Sequence, residues 1–165
     1  MDSPVRLHSA LEDADEVLRE RVGELLGVPA DAVRVGRLCP LCGSSRHGRP
    51  WARAAGHADD VAVSLSRSGE HLASAVARGG AIGVDLEQIA AVERGWDAEL
   101  VLHPDETDPR DPARRAAVWA AKEAVLKLLG TGLTVPMPRV RLADHDLREL
   151  PAPPGNMLVL ARRVG

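Results

Sequence analysis

The segment WAAKEAVLK, residues 119–127, contains both lysines of the chain, Lys122 and Lys127, whereas every other residue with a permanent positive charge is arginine. Lysine is a compact ammonium that can lose its proton when desolvated, while arginine stays charged at every accessible pH. At 100° per residue, Trp119, Glu123 and Lys127 fall on one side of a helix, which places an aromatic ring, an acid and a base in a column. The segment therefore predicts a helix that carries chemistry on one face.

This helix has sequence signals at both ends. Asp111 is a good N-cap, and Pro112 suits the first helical position because its missing N–H needs no partner there. Gly130 suits the left-handed cap that follows a last helical turn. The sequence thus predicts a helix from Pro112 to Leu129.

The segment AIGVDLEQI, residues 81–89, alternates apolar residues with small or acidic ones, as a β-strand with one buried face does. Asp85 and Glu87 fall on the face opposite the apolar positions. Two carboxylates from this strand and Glu123 from the helix would form an oxygen-rich site of the kind that Mg²⁺ prefers. The alternative is a strand with a solvated polar face beside an ordinary Glu123–Lys127 pair.

Shorter apolar stretches predict the remaining elements of an α+β fold, in which helices pack on antiparallel sheet. Apolar spacing from residue 11 to residue 26 predicts a first helix, closed by Gly27. Residues 39–60 are predicted to be a loop, and Pro104 opens a turn or short helix. Strands are predicted at Val5–Leu7, Ala32–Leu38, Val61–Ser66, Leu72–Ala77, Ala81–Glu87, Arg139–Leu142 and Met157–Arg162.

Part of the chain repeats at one constant offset, which favours two related halves. Residues that end the first predicted helix recur in the second, and each copy continues into a proline-containing turn. The repeated residues are Glu20, Leu25, Leu26 and Gly27, and their counterparts Glu123, Leu128, Leu129 and Gly130. The position equivalent to Lys127 is Glu24, so the first half repeats the pattern of the fold and not the chemistry.

Several motifs together resemble one family. GVDLE (83–87), WAAKEAVLK and the Gly-x-Gly-Leu turn at 130–133 resemble the signature of 4′-phosphopantetheinyl transferases, where GxDxE and WxxKExxxK recur in this order. HGRPW (47–51) resembles the family's HGKP element, and VAVSLSRSG (61–69) resembles its strand ending in SHS. The resemblance runs from about residue 47 to about residue 142. Within this family, the chain resembles the Sfp type, whose tandem halves serve carrier proteins of secondary metabolism.

The resemblance implies a fold and a reaction. The fold would be a monomeric pseudo-dimer of two similar α+β lobes, with nucleotide-binding elements in residues 1–80 and the metal and catalytic motifs in residues 81–165. The reaction would transfer 4′-phosphopantetheine from coenzyme A to a serine of an apo acyl or peptidyl carrier protein. It would depend on Mg²⁺ and release 3′,5′-ADP.

The resemblance also implies roles for individual residues. Asp85, Glu87 and Glu123 would hold Mg²⁺, and Glu123 and Lys127 would be catalytic. Lys122 would contact phosphate or pair with an acid on the flank of the helix. The residues expected to contact coenzyme A are Gly48, Arg49, Pro50, Ser66, Arg67 and Lys122.

Two features depart from the family pattern. Arg67 stands where the family has histidine, and a guanidinium there would grip the 3′-phosphate of coenzyme A at any pH. The separation between Asp85 and Glu123 is also short. An alternative function is therefore that of a degenerate homologue, which binds coenzyme A or a carrier protein without transfer.

Composition excludes other classes of function. The net charge is −3 and the arginines are dispersed, which disfavours nucleic acid as a partner. No apolar run approaches the ~18–20 residues of a membrane span, and residues 1–30 lack the pattern of a signal peptide. We therefore expect a cytoplasmic protein without membrane contact.

The cysteines leave one question open. Cys39 and Cys42 lie in the segment CPLCGSSRHG, which also supplies His47, and His57 follows. These four side chains would satisfy a structural, tetrahedral Zn²⁺ site. A single CxxC is only half of a strong zinc signature, so the alternative is a loop with two reduced thiols.

Overall fold

The computed structural model describes residues 3–57 and 61–163, except for the side chain of Leu133. It shows antiparallel sheets with packed helices, which confirms the predicted α+β fold. Residues 58–60, part of the predicted loop, and the leucine side chain of the Gly-x-Gly-Leu turn lie outside this description. In the part that is described, no helix is both long enough and apolar enough to span a bilayer.

A five-stranded sheet is built from the first part of the chain, with strand order β1-β5-β4-β3-β2 and antiparallel pairing throughout. Leu18 and Val22 of helix α1 pack on this sheet among Val33, Val63 and Val76. Its elements are β1 (Val5–Ser9), α1 (Ala14–Leu26), β2 (Val33–Leu38), β3 (Arg49–Ala54), β4 (Val61–Ser68) and β5 (His71–Arg78).

Helix α1 shows why its predicted start was too early. The Asp13 carboxylate accepts hydrogen bonds from the N–H groups of Asp15 and Glu16, which fixes the N-cap at residue 13. Leu11 therefore lies before the helix and is 97% exposed, so it does not belong to the buried face. The end of the helix at Gly27, in the left-handed conformation, is as predicted.

A three-stranded antiparallel sheet with order β6-β8-β7 follows. Helix α4 packs on it, with the predicted N-cap at Asp111 and the left-handed cap at Gly130. Two short helices, α2 and α3, were not predicted. The elements are β6 (Ala81–Gln88), α2 (Ile89–Gly95), α3 (Ala98–Val101), α4 (Pro112–Leu129), β7 (Asp146–Leu150) and β8 (Asn156–Arg163).

Residues 81–86 of strand β6 are buried on both faces, so the alternative of a strand with a solvated polar face does not hold for Asp85, whereas Glu87 is partly exposed. Val84 and its apolar neighbours in the strand pack against Ala73 and Ala75 of the five-stranded sheet. The opposite face lies under α4, so closely that a Cβ at Gly83 would stand 1.9 Å from the carbonyl oxygen of Ala124. Glycine at position 83 therefore allows the helix to press onto the strand.

Two serines of β4 connect the sheets. The Val84 N–H donates to Ser64 Oγ at 3.1 Å, and the Leu86 N–H donates to Ser66 Oγ at 3.2 Å. These hydroxyls take the place of a neighbouring strand's carbonyl groups along one edge of β6. They bring the serine-rich end of β4 beside the acidic end of β6.

Two other expectations need correction. The predicted loop at residues 39–60 contains β3, whose residues 49–54 are paired with residues 33–38 of β2. The predicted strand Arg139–Leu142 is wrong: its first and last residues belong to two short 3₁₀ turns, Met137–Arg139 and Leu142–Asp144, and residues 140 and 141 connect them. The internal repeat thus ends at the matching caps Gly27 and Gly130, and the chain continues differently after each.

Candidate active site

Asp85 lies at the centre of a charged cluster between β6 and α4. It is only 2% exposed. Its Oδ1 accepts a hydrogen bond from Ser66 Oγ at 2.8 Å and an ion-paired one from Lys127 Nζ at 2.6 Å. Lys127 Nζ also donates to the carbonyl oxygen of Val84 at 3.1 Å. One strand, one helix and the neighbouring sheet therefore meet at this carboxylate.

Two more carboxylates share the field of Asp85. Burial, and then the charge of Asp85, raise the pKa of Glu87 to about 7. The same two causes, in the same order, raise the pKa of Glu123, while Lys127 opposes the shift. Both side chains are partly exposed at the edge of the cluster. Three acids compete for one ammonium, so the cluster holds more negative charge than its own residues neutralise.

The chemistry of these donors fits a hard divalent cation. Asp85 Oδ2 is buried and has no hydrogen-bond partner among the described residues, which leaves a lone pair free for a ligand. Carboxylate oxygens are what Mg²⁺ prefers, and a cation would relieve the repulsion between Asp85, Glu87 and Glu123. The oxygens of the three acids do not all lie within 4.8 Å of one another in the described structure. Lys127 is the nearby positive charge instead.

Lys122 does not belong to this cluster. Its side chain has no exposed surface, and its Nζ donates to Glu106 Oε2 at 2.5 Å and to the carbonyl oxygen of Val140. Burial lowers the pKa of Lys122, while Glu106 opposes the shift. The predicted contact of Lys122 with a cofactor is therefore not what the structure shows. The other predicted role, pairing with an acid, is the one it takes.

A cavity of about 570 Å³ opens beside Lys127 and spans both sheets. It brings together the predicted HGRP element, the middle of β4 and the glycine turn after α4, which are far apart in sequence. Its lining residues are Cys39, Pro40, Leu41, Gly48, Arg49, Pro50, Val63, Ser64, Leu65, Lys127, Gly130, Thr131, Gly132 and Thr134. Ser64, Thr131 and Thr134 were not singled out in the sequence. The alternation of Ser64 with Ser66 along β4 was the available signal for the first of them.

Arg49 and Gly48 shape the rim of this cavity. The Arg49 guanidinium lies over Gly130, with Nη1 only 2.6 Å from where a Cβ would stand. Within the described residues, Arg49 has no hydrogen bond or ion pair, so its charge is available to a ligand. Gly48 has φ +105°, and a Cβ there would lie 2.5 Å from the Cα of Cys39. Glycine is required at this position for the chain to pass so close to Cys39.

Arg67 lies outside this cavity. Its Nη1 donates to the carbonyl oxygen of Ala10 at 2.7 Å, and its Nη2 donates to that of Glu12 at 3.2 Å. Arg67 thus links the end of β4 to the segment before α1, and it is not part of the cavity lining. A role in binding a 3′-phosphate stays a prediction, and a phosphate would have to compete with these two bonds.

Glu123 also borders an apolar groove of about 340 Å³. Trp119 is partly buried there and packs against the core. The remaining lining residues are Leu100, Val135, Pro136, Met137 and Pro138. Glu123 therefore faces both the carboxylate cluster and a surface that is open to an apolar partner.

The two serines of β4 make a matched test of the cluster. Ser66→Ala removes a donor to a buried carboxylate and an acceptor for Leu86, whereas Ser64→Ala removes only an acceptor for Val84. We expect Ser66→Ala to reduce the free energy of unfolding by about 2–3 kcal/mol and Ser64→Ala by about 1–2 kcal/mol. Urea unfolding of both variants measures the difference. Equal losses would contradict the placement of Ser66 on Asp85.

Comparison with known proteins gives two matches. Residues 81–152 match the family model described as the 4′-phosphopantetheinyl transferase superfamily. The chain is also similar to a holo-[acyl-carrier-protein] synthase of Aromatoleum aromaticum, with 43% identity over 82 residues. That match covers 42% of this chain and 66% of the relative, just under two thirds of its length. Asp85, Glu87, Glu123 and Lys127 all lie within the segment that matches the family model.

Proposed function

We propose, since residues 81–152 match the family model of the 4′-phosphopantetheinyl transferase superfamily, that the chain transfers 4′-phosphopantetheine from coenzyme A to a serine of an apo acyl or peptidyl carrier protein. The observation that carries this proposal is the position of Lys127. Its ammonium binds Asp85 at 2.6 Å and also borders the cavity that spans both sheets. Phosphoryl transfer needs positive charge where a bound diphosphate meets the catalytic carboxylates.

Coenzyme A would occupy this cavity. Arg49 and Gly48 at its rim suit the nucleotide end, because a guanidinium binds phosphate with two parallel hydrogen bonds. Lys127 at the inner end suits the diphosphate. The cavity volume of about 570 Å³ is in the range of small-molecule sites. Ser64 and Thr134 would offer hydroxyl groups to the ligand along its wall.

Asp85, Glu87 and Glu123 would hold Mg²⁺. When bound, the ion supplies charge neutralisation at the diphosphate. The residues of the chain do the remaining work: Ser66 orients Asp85 through its 2.8 Å hydrogen bond, and Lys127 stays near enough to balance the charge of the leaving 3′,5′-ADP. The metal dependence rests on the unpartnered Oδ2 of Asp85 and on the excess of acids around it.

Glu123 would take the proton of the carrier serine. It borders the groove through which a partner would approach, and it lies on the same helix face as Lys127. The serine oxygen forms a bond to the phosphorus that bears the pantetheine arm. The bond from that phosphorus to the oxygen of 3′,5′-ADP breaks, and its electron pair leaves with the nucleotide.

A mass-spectrometric assay tests the function. Apo acyl and peptidyl carrier proteins, incubated with the chain, coenzyme A and Mg²⁺, are expected to gain the mass of one phosphopantetheine group on one serine. The matched control is each carrier with its acceptor serine replaced by alanine. No mass gain over several carriers, together with measurable binding of coenzyme A, would support the degenerate homologue instead.

Arg49 is expected to affect binding more than turnover. Arg49→Ala removes a charge at the cavity rim that has no protein partner in the described structure, so we expect KM for coenzyme A to rise about tenfold with little change in kcat. Arg53→Ala is the control, because Arg53 lies on the same strand, is exposed and stacks on Trp51 at 5.9 Å. Similar effects of the two variants would refute a specific contact of Arg49.

The raised pKa of Glu87 gives a pH test for Mg²⁺ that needs no turnover. Without metal, the folded state binds more protons than the unfolded state between the ordinary pKa of 4.5 and about 7, so stability falls as pH rises through this window. Mg²⁺ binds the deprotonated acids, so its stabilising effect should grow over the same rise. We expect Mg²⁺ to raise Tm at about pH 8 and much less at about pH 6, in scanning calorimetry at constant ionic strength. Glu87→Gln should flatten this dependence, and a Tm shift independent of pH in the parent protein would contradict it.

We also propose that the chain is divided into halves 1–80 and 81–165, as in the Sfp type. A cytoplasmic location is part of the same proposal. Gly79 and Gly80 support the boundary, because both have left-handed φ values, 64° and 68°, where the chain turns from β5 into β6. The five-stranded sheet would then supply the nucleotide site, and the three-stranded sheet with α4 would supply the carboxylates. Limited proteolysis in this turn would test whether the halves separate.

A further inference from the structure

We propose that Cys39, Cys42 and His47 bind one zinc ion, at a site separate from the carboxylate cluster. One sulfur from each cysteine and one ring nitrogen of His47 lie within 4.8 Å of one another, and this is the one such group of His, Cys, Asp and Glu in the described residues. Both cysteines are free thiols. Thiolate and imidazole are ligands that zinc prefers over magnesium.

The separation between Cys42 and His47 fits a tetrahedral ion. With Zn–S bonds of about 2.3 Å and Zn–N bonds of about 2.0–2.1 Å, a sulfur and a nitrogen on the same ion lie roughly 3.6 Å apart. Cys42 Sγ and His47 Nε2 are 3.5 Å apart. The ring nitrogen that faces the sulfur is therefore already at the separation that a shared zinc requires.

The backbone around the cysteines is built as a tight knuckle. The Cys39 N–H donates to the carbonyl oxygen of Ser44 at 2.9 Å, and the Gly43 N–H donates to the carbonyl oxygen of Cys39 at 2.9 Å. Gly43 has φ +68°, which reverses the chain directly after the second cysteine.

The chain then returns to Cys39, which places His47 beside the two cysteines. Gly48, the residue after His47, passes so close to Cys39 that a Cβ would lie 2.5 Å from its Cα and N. This contact fixes His47 beside the cysteines. Cys39 is buried whereas Cys42 and His47 are exposed, so the fourth position of the ion faces solvent and takes water.

His57 is not part of the cluster, although the sequence offered it as a fourth ligand. It lies outside the group of atoms within 4.8 Å. The structure therefore assigns three protein ligands, and His57 becomes the matched control for His47. The role of the ion is to hold the rim of the large cavity, because Cys39, Leu41 and Gly48 all line it.

Zinc content tests the proposal without any assay of transfer. Tag-free protein, expressed with zinc and dialysed, is expected to contain about one zinc per chain by elemental mass spectrometry. Cys42→Ser and His47→Ala change exposed side chains, so both variants should fold. We expect their zinc affinity, measured by competition with a chromogenic chelator, to fall by about tenfold or more. His57→Ala should keep the affinity of the parent protein.

Two results would overturn the proposal. One is a zinc content of the parent protein no higher than that of the doubly substituted Cys42→Ser, His47→Ala protein, since the 3.5 Å contact would then be only a thiol–imidazole hydrogen bond. The other is an equal loss in His57→Ala and His47→Ala, which would exclude the three-ligand site. Cobalt(II) in place of zinc should give the intense visible absorption of tetrahedral thiolate ligation in the parent protein and lose it in Cys42→Ser. Because each readout is metal binding, failure here leaves the proposed transferase function untouched.

Discussion

Glu123→Gln is expected to reduce the rate of phosphopantetheine transfer by roughly 10²–10⁴-fold while leaving the fold intact. The substitution keeps the size of the side chain and removes its charge, so both the proposed base and one proposed Mg²⁺ ligand are lost. The fold should tolerate it, because burial and Asp85 already disfavour the charged form of Glu123. Turnover with saturating coenzyme A and carrier protein, and the Tm of the variant, measure the two effects.

The control for Glu123 is Glu99→Gln. Glu99 is an exposed acid next to Leu100, which borders the same apolar groove, and it lies outside the carboxylate cluster. Its substitution should leave turnover within about twofold, since an isolated surface acid has little to contribute. A Glu123→Gln protein that retains a normal rate with Mg²⁺ would remove Glu123 from the mechanism. Loss of rate in both variants would point to carrier docking rather than to catalysis.

The charged cluster was largely predictable from periodicity. Asp85 and Glu87 are two positions apart in a strand, and Glu123 and Lys127 are four apart in a helix, so each pair shares a face. The helix ends followed from Asp111, Pro112 and Gly130 because capping is a local property of the backbone. These features depend on residues that are close in sequence, so a single sequence is enough to predict them.

What the sequence did not reveal depends on contacts between distant segments. The burial of Asp85 arises because α4 covers one face of β6 and β4 meets its edge. The alternation of apolar and polar residues in 81–87 predicts neither contact. Strand β3 was missed because RPWARA, residues 49–54, contains two arginines and a proline, which fit a loop as well as a strand. Its strand state is set by pairing with β2.

The two lysines illustrate the difference between local and long-range contacts. They are five residues apart, which at 100° per residue turns them about 140° away from each other around the helix. They could therefore never have served one site. Lys127 points toward Asp85 and the cavity, while Lys122 points into the core and toward Glu106. Their shared rarity in the sequence was a sound reason to examine both, and their spacing was the signal that their roles differ.

The role of Lys122 predicts the largest change in stability. Lys122→Met keeps an unbranched side chain in the core and leaves Glu106 without its cation. Removing one partner of a buried ion pair costs about 3–5 kcal/mol, and we expect about 3 kcal/mol here because the Glu106 side chain is 18% exposed. Glu106 also accepts hydrogen bonds from the N–H groups of Leu142 and His103, and the first of these ties the segment after α3 to the turn before β7. Urea unfolding measures the loss.

An exposed ion pair on the same helix is the control. Arg114 and Glu149 form two hydrogen bonds of 2.7 and 2.9 Å, but about half of each side chain is exposed. Arg114→Met should therefore cost less than about 1 kcal/mol. The difference between the two variants isolates the effect of burial, because both remove one cation from α4. Equal losses would show that Lys122 stabilises the fold only as a surface charge does.

A second substitution, at Glu106, completes the test of the buried ion pair. The pKa of Glu106 is lowered, because the N–H groups of Leu142 and His103 and the ammonium of Lys122 together outweigh the opposing effect of burial. A lowered pKa means that its contribution is complete above the ordinary value of 4.5 and is lost as pH falls through the folded-state value. In Lys122→Met, Glu106→Gln, the acceptor for Leu142 remains and no buried charge is left, so we expect part of the stability to return. The double variant should also lose less stability on acidification than the parent protein. If the double variant is instead as unstable as Lys122→Met, the cost lies in packing around residue 122 and not in an unpaired carboxylate.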